Sequence, residues 1–309
     1  MLAGVLAALI IGEIIVRIGR FGPDLHPVHA ELFTFSDDAL LRYALVPNAA
    51  VGQVRINRYG FRGPDVARRK PPGTFRIACI GDSISFGLGV GQDETFSVRL
   101  EQWLNQCYAS PQVRFEVLNF GVTGYNIVQV AETLRRRAIE FDPDLILYAY
   151  CLNDPQDFSH EFDALYTLLT NAETNFREYV TAPAHRLMVH SRLYALLRYT
   201  LENVTPEGRR LRDYRQDPQF LHLQDGSHVR YFHKIHRDPP GRTRLENGFA
   251  TMGRIAQEHK TPACLVLFPL FDESQTYEFR AIHQQVAALA AAQKFSVIDL
   301  TASFRIFED

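Results

Sequence analysis

Phe75-Arg-Ile-Ala-Cys-Ile-Gly-Asp-Ser83 is the stretch that decides the fold. Residues 75–80 form a short, mostly apolar run stopped by Gly81, which reads as a buried strand. Downstream, Phe96, Leu100 and Leu104 recur at helical spacing within 94–104, and 115–118 reads as a second strand. A helix over 128–139 stops before Asp142-Pro143, and 145–150 reads as a third strand. Strands alternating with helices imply parallel βαβ units. The alternation breaks at residue 155. The following residues, to 240, are rich in aromatics, Arg and His and read as a large insertion, with a lid as one reading of it. Within it 187–201 is helical, with Leu193, Leu196 and Leu197 on one side. Alternation resumes with a helix over 245–259, a strand over 263–268, an Ala-rich helix over 278–293 and a strand over 295–300. The expected fold is α/β with a five-stranded parallel sheet. Such a sheet needs helices on both faces, and only nine residues follow the last strand. One groove is therefore expected to be partly bare, unless another element covers it or the natural protein continues past Asp309.

Upstream, Lys70-Pro-Pro-Gly73 is a breaker and an expected boundary between an N-terminal extension over 19–72 and a domain over 73–309. The extension carries a turn-rich segment, Ile56-Asn-Arg-Tyr-Gly-Phe-Arg-Gly63. Residues 1–18 are apolar, interrupted by Gly12 and Glu13 and closed by Arg17 and Arg20. Three readings compete: a membrane anchor or uncleaved signal, an anchor trimmed by a late start codon, and a buried or capping helix. The first is favoured, which places the chain at a membrane, outside the cytoplasm. The 46% hydrophobic and 22% charged content of the 309 residues excludes a wholly disordered chain. A net charge of −2 gives no electrostatic reason to expect nucleic acid. The four cysteines lack CxxC spacing, so neither zinc nor a redox pair is expected, and no cofactor is implied. Cys79, Cys151 and Cys264 sit in or beside apolar runs and read as buried thiols.

Three short motifs fall at the carboxyl ends of the first three strands, where open parallel sheets bind ligands. Gly81-Asp82-Ser83 places a hydroxyl at a strand-to-loop turn. Ser85 stands where the familiar nucleophile elbow has its second glycine, so this is not that elbow. Asn119-Phe-Gly-Val-Thr-Gly124 contains Gly121 and Gly124, read either as turn glycines or as sources of an N–H for a developing oxyanion. Cys151-Leu-Asn-Asp-Pro155 offers Asn153, either a self-stabilising turn residue or an amide beside Ser83. Each is weak alone; their convergence on one sheet edge is the stronger signal.

With these residues in hand, the sequence resembles the SGNH, or GDSL-like, hydrolases, closely over 75–154 and loosely over 263–300. Gly81-Asp82-Ser83, Gly124 and Asn153-Asp154 match the family's blocks, although the glycine usual before Asn-Asp is replaced. Asn57-Arg-Tyr-Gly-Phe-Arg62 is similar to segments preceding this domain in membrane-associated bacterial members. The resemblance implies a flavodoxin-like three-layer α/β/α sandwich. It also implies an acyl-enzyme on Ser83, with Ser83 N–H, Gly124 N–H and Asn153 holding the oxyanion. The substrate would be an acylated small molecule, lipid or carbohydrate. The family's base comes from an Asp-x-x-His block after the fifth strand, which this sequence does not reach, so a chain truncated at its C-terminus is expected, with a pseudoenzyme as the alternative. Asp157-Phe-Ser-His160 and Asp225-Gly-Ser-His228 are chance-level substitutes, and His222, His233 and His236 read as a polar loop rather than a metal site. The functional expectation is a serine esterase. The alternatives are an O-acyltransferase of extracytoplasmic polysaccharide and a non-catalytic binding protein on the same scaffold.

Overall fold

The computed structural model describes residues 2–19, 32–156 apart from 37, 39 and 42, positions scattered through 191–200, and residues 227–270 and 277–304. The chain divides into two compact units, one of residues 1–30 with 160–221 and one of residues 31–159 with 222–309. The second unit holds the sheet. Its strands β5 (Thr74–Gly81), β6 (Arg114–Asn119), β7 (Leu145–Tyr150), β8 (Ala263–Leu267) and β9 (Ser296–Asp299) are all parallel, in the order β6-β5-β7-β8-β9. This is the flavodoxin-type order, and it confirms the expected three-layer α/β architecture.

β5 and β7 are central, so both their faces are buried and both read as apolar runs rather than alternating ones. On one face Ile77, Cys79, Val117, Leu147, Cys264 and Val266 form a cluster that receives Phe96, Leu100 and Leu104 from α3 (Phe96–Tyr108). On the other, Tyr148 packs against Phe249 of α6 (Pro239–Glu258), which lies beside α4 (Ile127–Arg136). α7 (Arg280–Ala292) packs against β8 and β9. β9 is exposed along its whole length, and Ile298 is 49% accessible.

Helix ends shift from expectation for local reasons. α3 starts at Phe96 rather than 94 because Thr95 caps it, accepting from the Val98 N–H at 3.4 Å. α4 is opened by a capping box: Asn126 Oδ1 accepts from the Val128 and Gln129 amides, and Gln129 Oε1 accepts from the Asn126 amide. α6 begins six residues early, at Pro239, a residue at home in a first helical turn. Ahead of it, α5 (Ser227–Arg237) also belongs to the sheet unit, within the span read as insertion.

The extension from Glu31 onward folds with the sheet rather than apart from it. It contributes two small hairpins, β1 (Phe33–Phe35) with β2 (Tyr43–Leu45) and β3 (Ala50–Val51) with β4 (Val54–Arg55). Arg76, wholly buried, sews it on: the guanidinium forks onto Glu116 and donates to the carbonyls of Ala67, Arg68 and Phe141. Arg76→Met leaves Glu116 and three carbonyls without their donor and is expected to cost about 3 kcal/mol or more by denaturant titration.

In the other unit, α1 (Leu2–Gly19) carries Glu13, which pairs with Arg17 and accepts from Ser191 Oγ and the Leu193 amide. Among the described residues no helix is long and apolar enough to cross a membrane.

Candidate active site

β5 has β6 on one side and β7 on the other, so the order of the chain reverses between β5 and β7. Ligands in such sheets bind at this switch point, beyond the strands' carboxyl ends. Ser83 lies two residues beyond β5, after Asp82, and Asn153 lies three beyond β7. Gly81 and Ala149 are register partners, which puts the two loops side by side.

The short helix α2 (Ser83–Phe86) is nucleated by Asp82. The Asp82 carboxylate accepts from the Ile84 amide at 3.0 Å and from Ser83 Oγ at 3.2 Å. It is fully buried. Burial raises its pKa, opposed by the nearby Ile84 N–H, Asn153 side chain and Ser83 hydroxyl and backbone. Asp82 therefore accepts from the Ser83 hydroxyl and lies close enough to Asn153 for that side chain to stabilise its charge. Asn153 is itself buried, and its Oδ1 has no hydrogen-bond partner among the described residues.

The glycine segment is locked onto this turn. Val122 N–H donates to the Gly81 carbonyl at 3.2 Å, and Asn119 Oδ1 accepts from the Gly121 amide at 3.0 Å. A Cβ on Gly121 would lie 2.3 Å from the Phe86 nitrogen and 2.5 Å from Ser85, so no larger residue fits there. Gly124 sits at φ +78° in the turn closed by Tyr125 N–H on the Val122 carbonyl, a conformation that favours glycine. Its N–H finds no acceptor among the described residues. Tyr43 of β2 braces the turn, donating to the Thr123 carbonyl at 2.8 Å and accepting at its own carbonyl from the Tyr125 hydroxyl. Ile127 N–H then donates to the Asp154 carbonyl at 3.0 Å. The three motifs read from sequence are thus brought together.

Sequence reasoning passed over the polar groups behind them. Asp154 is fully buried, with Oδ2 accepting from the Tyr148 hydroxyl and the Cys151 amide and Oδ1 unpartnered among the described residues. Burial, then the nearby Asp82 charge, pushes its pKa well up. Tyr150 donates its hydroxyl to His236 Nε2 at 2.5 Å, while His236 Nδ1–H donates to the Phe232 carbonyl at 2.6 Å. Two tyrosines in a fully buried strand are the signal that could have been used, since each needs a hydroxyl partner.

The histidines differ from expectation. His233 and His236 lie on helix α5, not in a polar loop, and His236 is 1% exposed. Its i−4 neighbour Phe232 is buried with it, which is the helical spacing. Asp157, His160, His222 and Asp225 lie outside the described residues. His228 is in the first turn of α5. His283, on α7, donates Nδ1–H to Asp299 at the end of β9 and accepts from the Tyr277 hydroxyl. No histidine among the described residues hydrogen-bonds Ser83 Oγ, whose partner is Asp82. No cluster of three metal-ligating side chains occurs among the described residues.

Burial pulls the His236 pKa down from 6.5 to about 4. The unfolded chain therefore binds a proton that the folded chain refuses between those values. Stability is full above pH 6.5 and falls as the pH drops through 4, by about 3 kcal/mol. His236→Gln is expected to flatten that slope in urea titrations between pH 4 and 7.

Comparison with protein-family models finds no match, and comparison with curated proteins finds none. Among solved structures the chain is similar to TesA, at 14% identity, 72% of this chain, 76% of that one and a TM-score of 0.37. It is also similar to a catalytic mutant of Axe2, an acetylxylan esterase from Geobacillus stearothermophilus, at 14% identity, 74% and 78% coverage and a TM-score of 0.38. Overlap this loose says little about chemistry; the fold and the site rest on the strand order and hydrogen bonds above.

Proposed function

We propose that this chain is a serine esterase of the SGNH type. The observation that carries the reading is the hydrogen bond from the Ser83 hydroxyl to the buried Asp82 carboxylate, with Asn153 beside it, at the sheet's switch point. Ser83 Oγ attacks the ester carbonyl and loses its proton to a base. The tetrahedral oxyanion is held by the N–H groups of Ser83 and Gly124 and the side-chain amide of Asn153. Collapse expels the alcohol and leaves Ser83 acylated, and water then releases the acid. Transfer to a carbohydrate hydroxyl in place of water uses the same residues and would make the chain an O-acyltransferase. The test is turnover of an acetyl ester with and without an acylatable sugar: free acid alone supports hydrolysis, an acylated sugar supports transfer. Asn153→Ala is expected to lower turnover by roughly 10²–10³-fold with little change in fold, the usual cost of one oxyanion donor.

A second reading, a non-catalytic binding protein, is favoured by one observation: Ser83 Oγ bonds a carboxylate and no described histidine. Absence of turnover with retained binding of acylated ligand would select it. For location, a membrane surface is proposed from α1, which exposes Leu9, Ile10, Ile11, Ile14, Ile15 and Ile18. Loss of vesicle co-sedimentation on deleting residues 2–18 supports that placement, and unchanged sedimentation removes it.

A further inference from the structure

The segment upstream of the sheet contains a buried cation with no catalytic role assigned to it. Arg62 is 2% exposed. Its guanidinium donates to the carbonyls of Phe86 (2.9 Å), Gly87 (2.7 Å) and Val90 (2.8 Å), and its Nε donates to Gln92 Oε1 at 3.3 Å. It lies over the Phe86 ring, 5.0 Å from the centroid. No described carboxylate pairs with it, so burial lowers its pKa without a counter-charge to offset the cost. Surface ion pairing does not account for such an arrangement. What the guanidinium does is collect the carbonyls that leave the Ser83 helix, which has only four residues and cannot hold itself together.

Arg62 also reaches the second motif. Its backbone bridges Asn119, and the Asn119 side chain donates to the Phe86 carbonyl that Arg62 also serves, while its Oδ1 accepts from Gly121. One side chain therefore ties the nucleophile turn to the glycine segment. We infer that Arg62 is a positioning residue for Ser83, acting through the Phe86–Val90 carbonyls. The inference rests on the esterase reading for what is positioned. A displaced nucleophile loses rate steeply, on the order of 100-fold per ångström.

The test uses the full chain with Arg62→Ala and Arg62→Lys, measuring fluorophosphonate labelling of Ser83, thermal unfolding and amide exchange at Gly87, Leu88 and Val90. These amides donate back to Ser83 and Gly87 within the turn. The expected result is a folded Arg62→Ala that labels roughly 100-fold more slowly, with exchange accelerated at 87–90 and unchanged in β5 and β7. Millimolar guanidinium restores labelling, and urea does not. A folded variant that labels within about threefold of wild type, with unchanged exchange at 87–90, overturns the inference. If Arg62→Ala does not fold, Arg62→Lys decides: slowed labelling in a folded chain supports positioning, wild-type labelling overturns it. If the wild-type chain itself is not labelled, the esterase reading has failed, and exchange at 87–90 alone judges Arg62.

Discussion

Ser83→Ala is expected to remove ester turnover and fluorophosphonate labelling together, while the unfolding transition stays where it is. The side chain is half-buried, and its one described hydrogen bond is to Asp82. Deleting the hydroxyl frees one lone pair on a carboxylate that still accepts from the Ile84 amide, so the stability cost is small. The rate cost is not: a nucleophile knock-out in a serine hydrolase loses on the order of 10⁶-fold. A steady-state assay against wild type checks the rate, and a thermal melt checks the fold. Turnover preserved in the variant sinks the assignment of Ser83.

Gly121→Ala is expected to damage fold and activity together. The added methyl would stand 2.3 Å from the Phe86 nitrogen and 2.5 Å from both the carbonyl carbon and the Cβ of Ser85. Two of these are backbone atoms of α2 itself, so no side chain can swing aside. Relief requires moving α2 away from the glycine segment, which separates Ser83 from Gly124. Overpacking costs about 1–3 kcal/mol, and occasionally more; here the upper end is expected, with labelling lost even in the folded fraction. Gly124→Ala is milder in packing but strained at φ +78°, about 1–2 kcal/mol. Denaturant titration of the two variants, alongside labelling, ranks them. A Gly121→Ala chain as stable and reactive as wild type contradicts the described contact between α2 and the glycine segment.

The sheet was legible because a central parallel strand must be apolar on both faces, which made the runs at 75–80, 145–150 and 263–268 conspicuous. The three motifs were legible because parallel strands deliver their carboxyl ends to one edge. Less visible was everything set by long-range pairing. Arg62 and Tyr43 lie in a segment without periodicity, and only folding reveals that they brace α2 and the Gly124 turn. Asp82 was visible as a motif residue, but its place beside both Ser83 and Asn153 depends on β5 and β7 being neighbours. His236 was misread as a loop residue because its polarity outweighed the Phe232–His236 spacing that places both inside. Lys70-Pro-Pro-Gly73 does break secondary structure, yet Arg76 reaches back to the Ala67 and Arg68 carbonyls and Lys70 reaches forward to Asp144, holding the two sides together. A chain break in periodicity is therefore not a break in the core.

The most direct test of the central claim is to label the folded 309-residue chain with a fluorophosphonate and map the adduct by peptide mass spectrometry. The account predicts a single adduct on the peptide carrying Ser83, absent from Ser83→Ala. An adduct on another serine, or none from a chain shown to be folded, would contradict it.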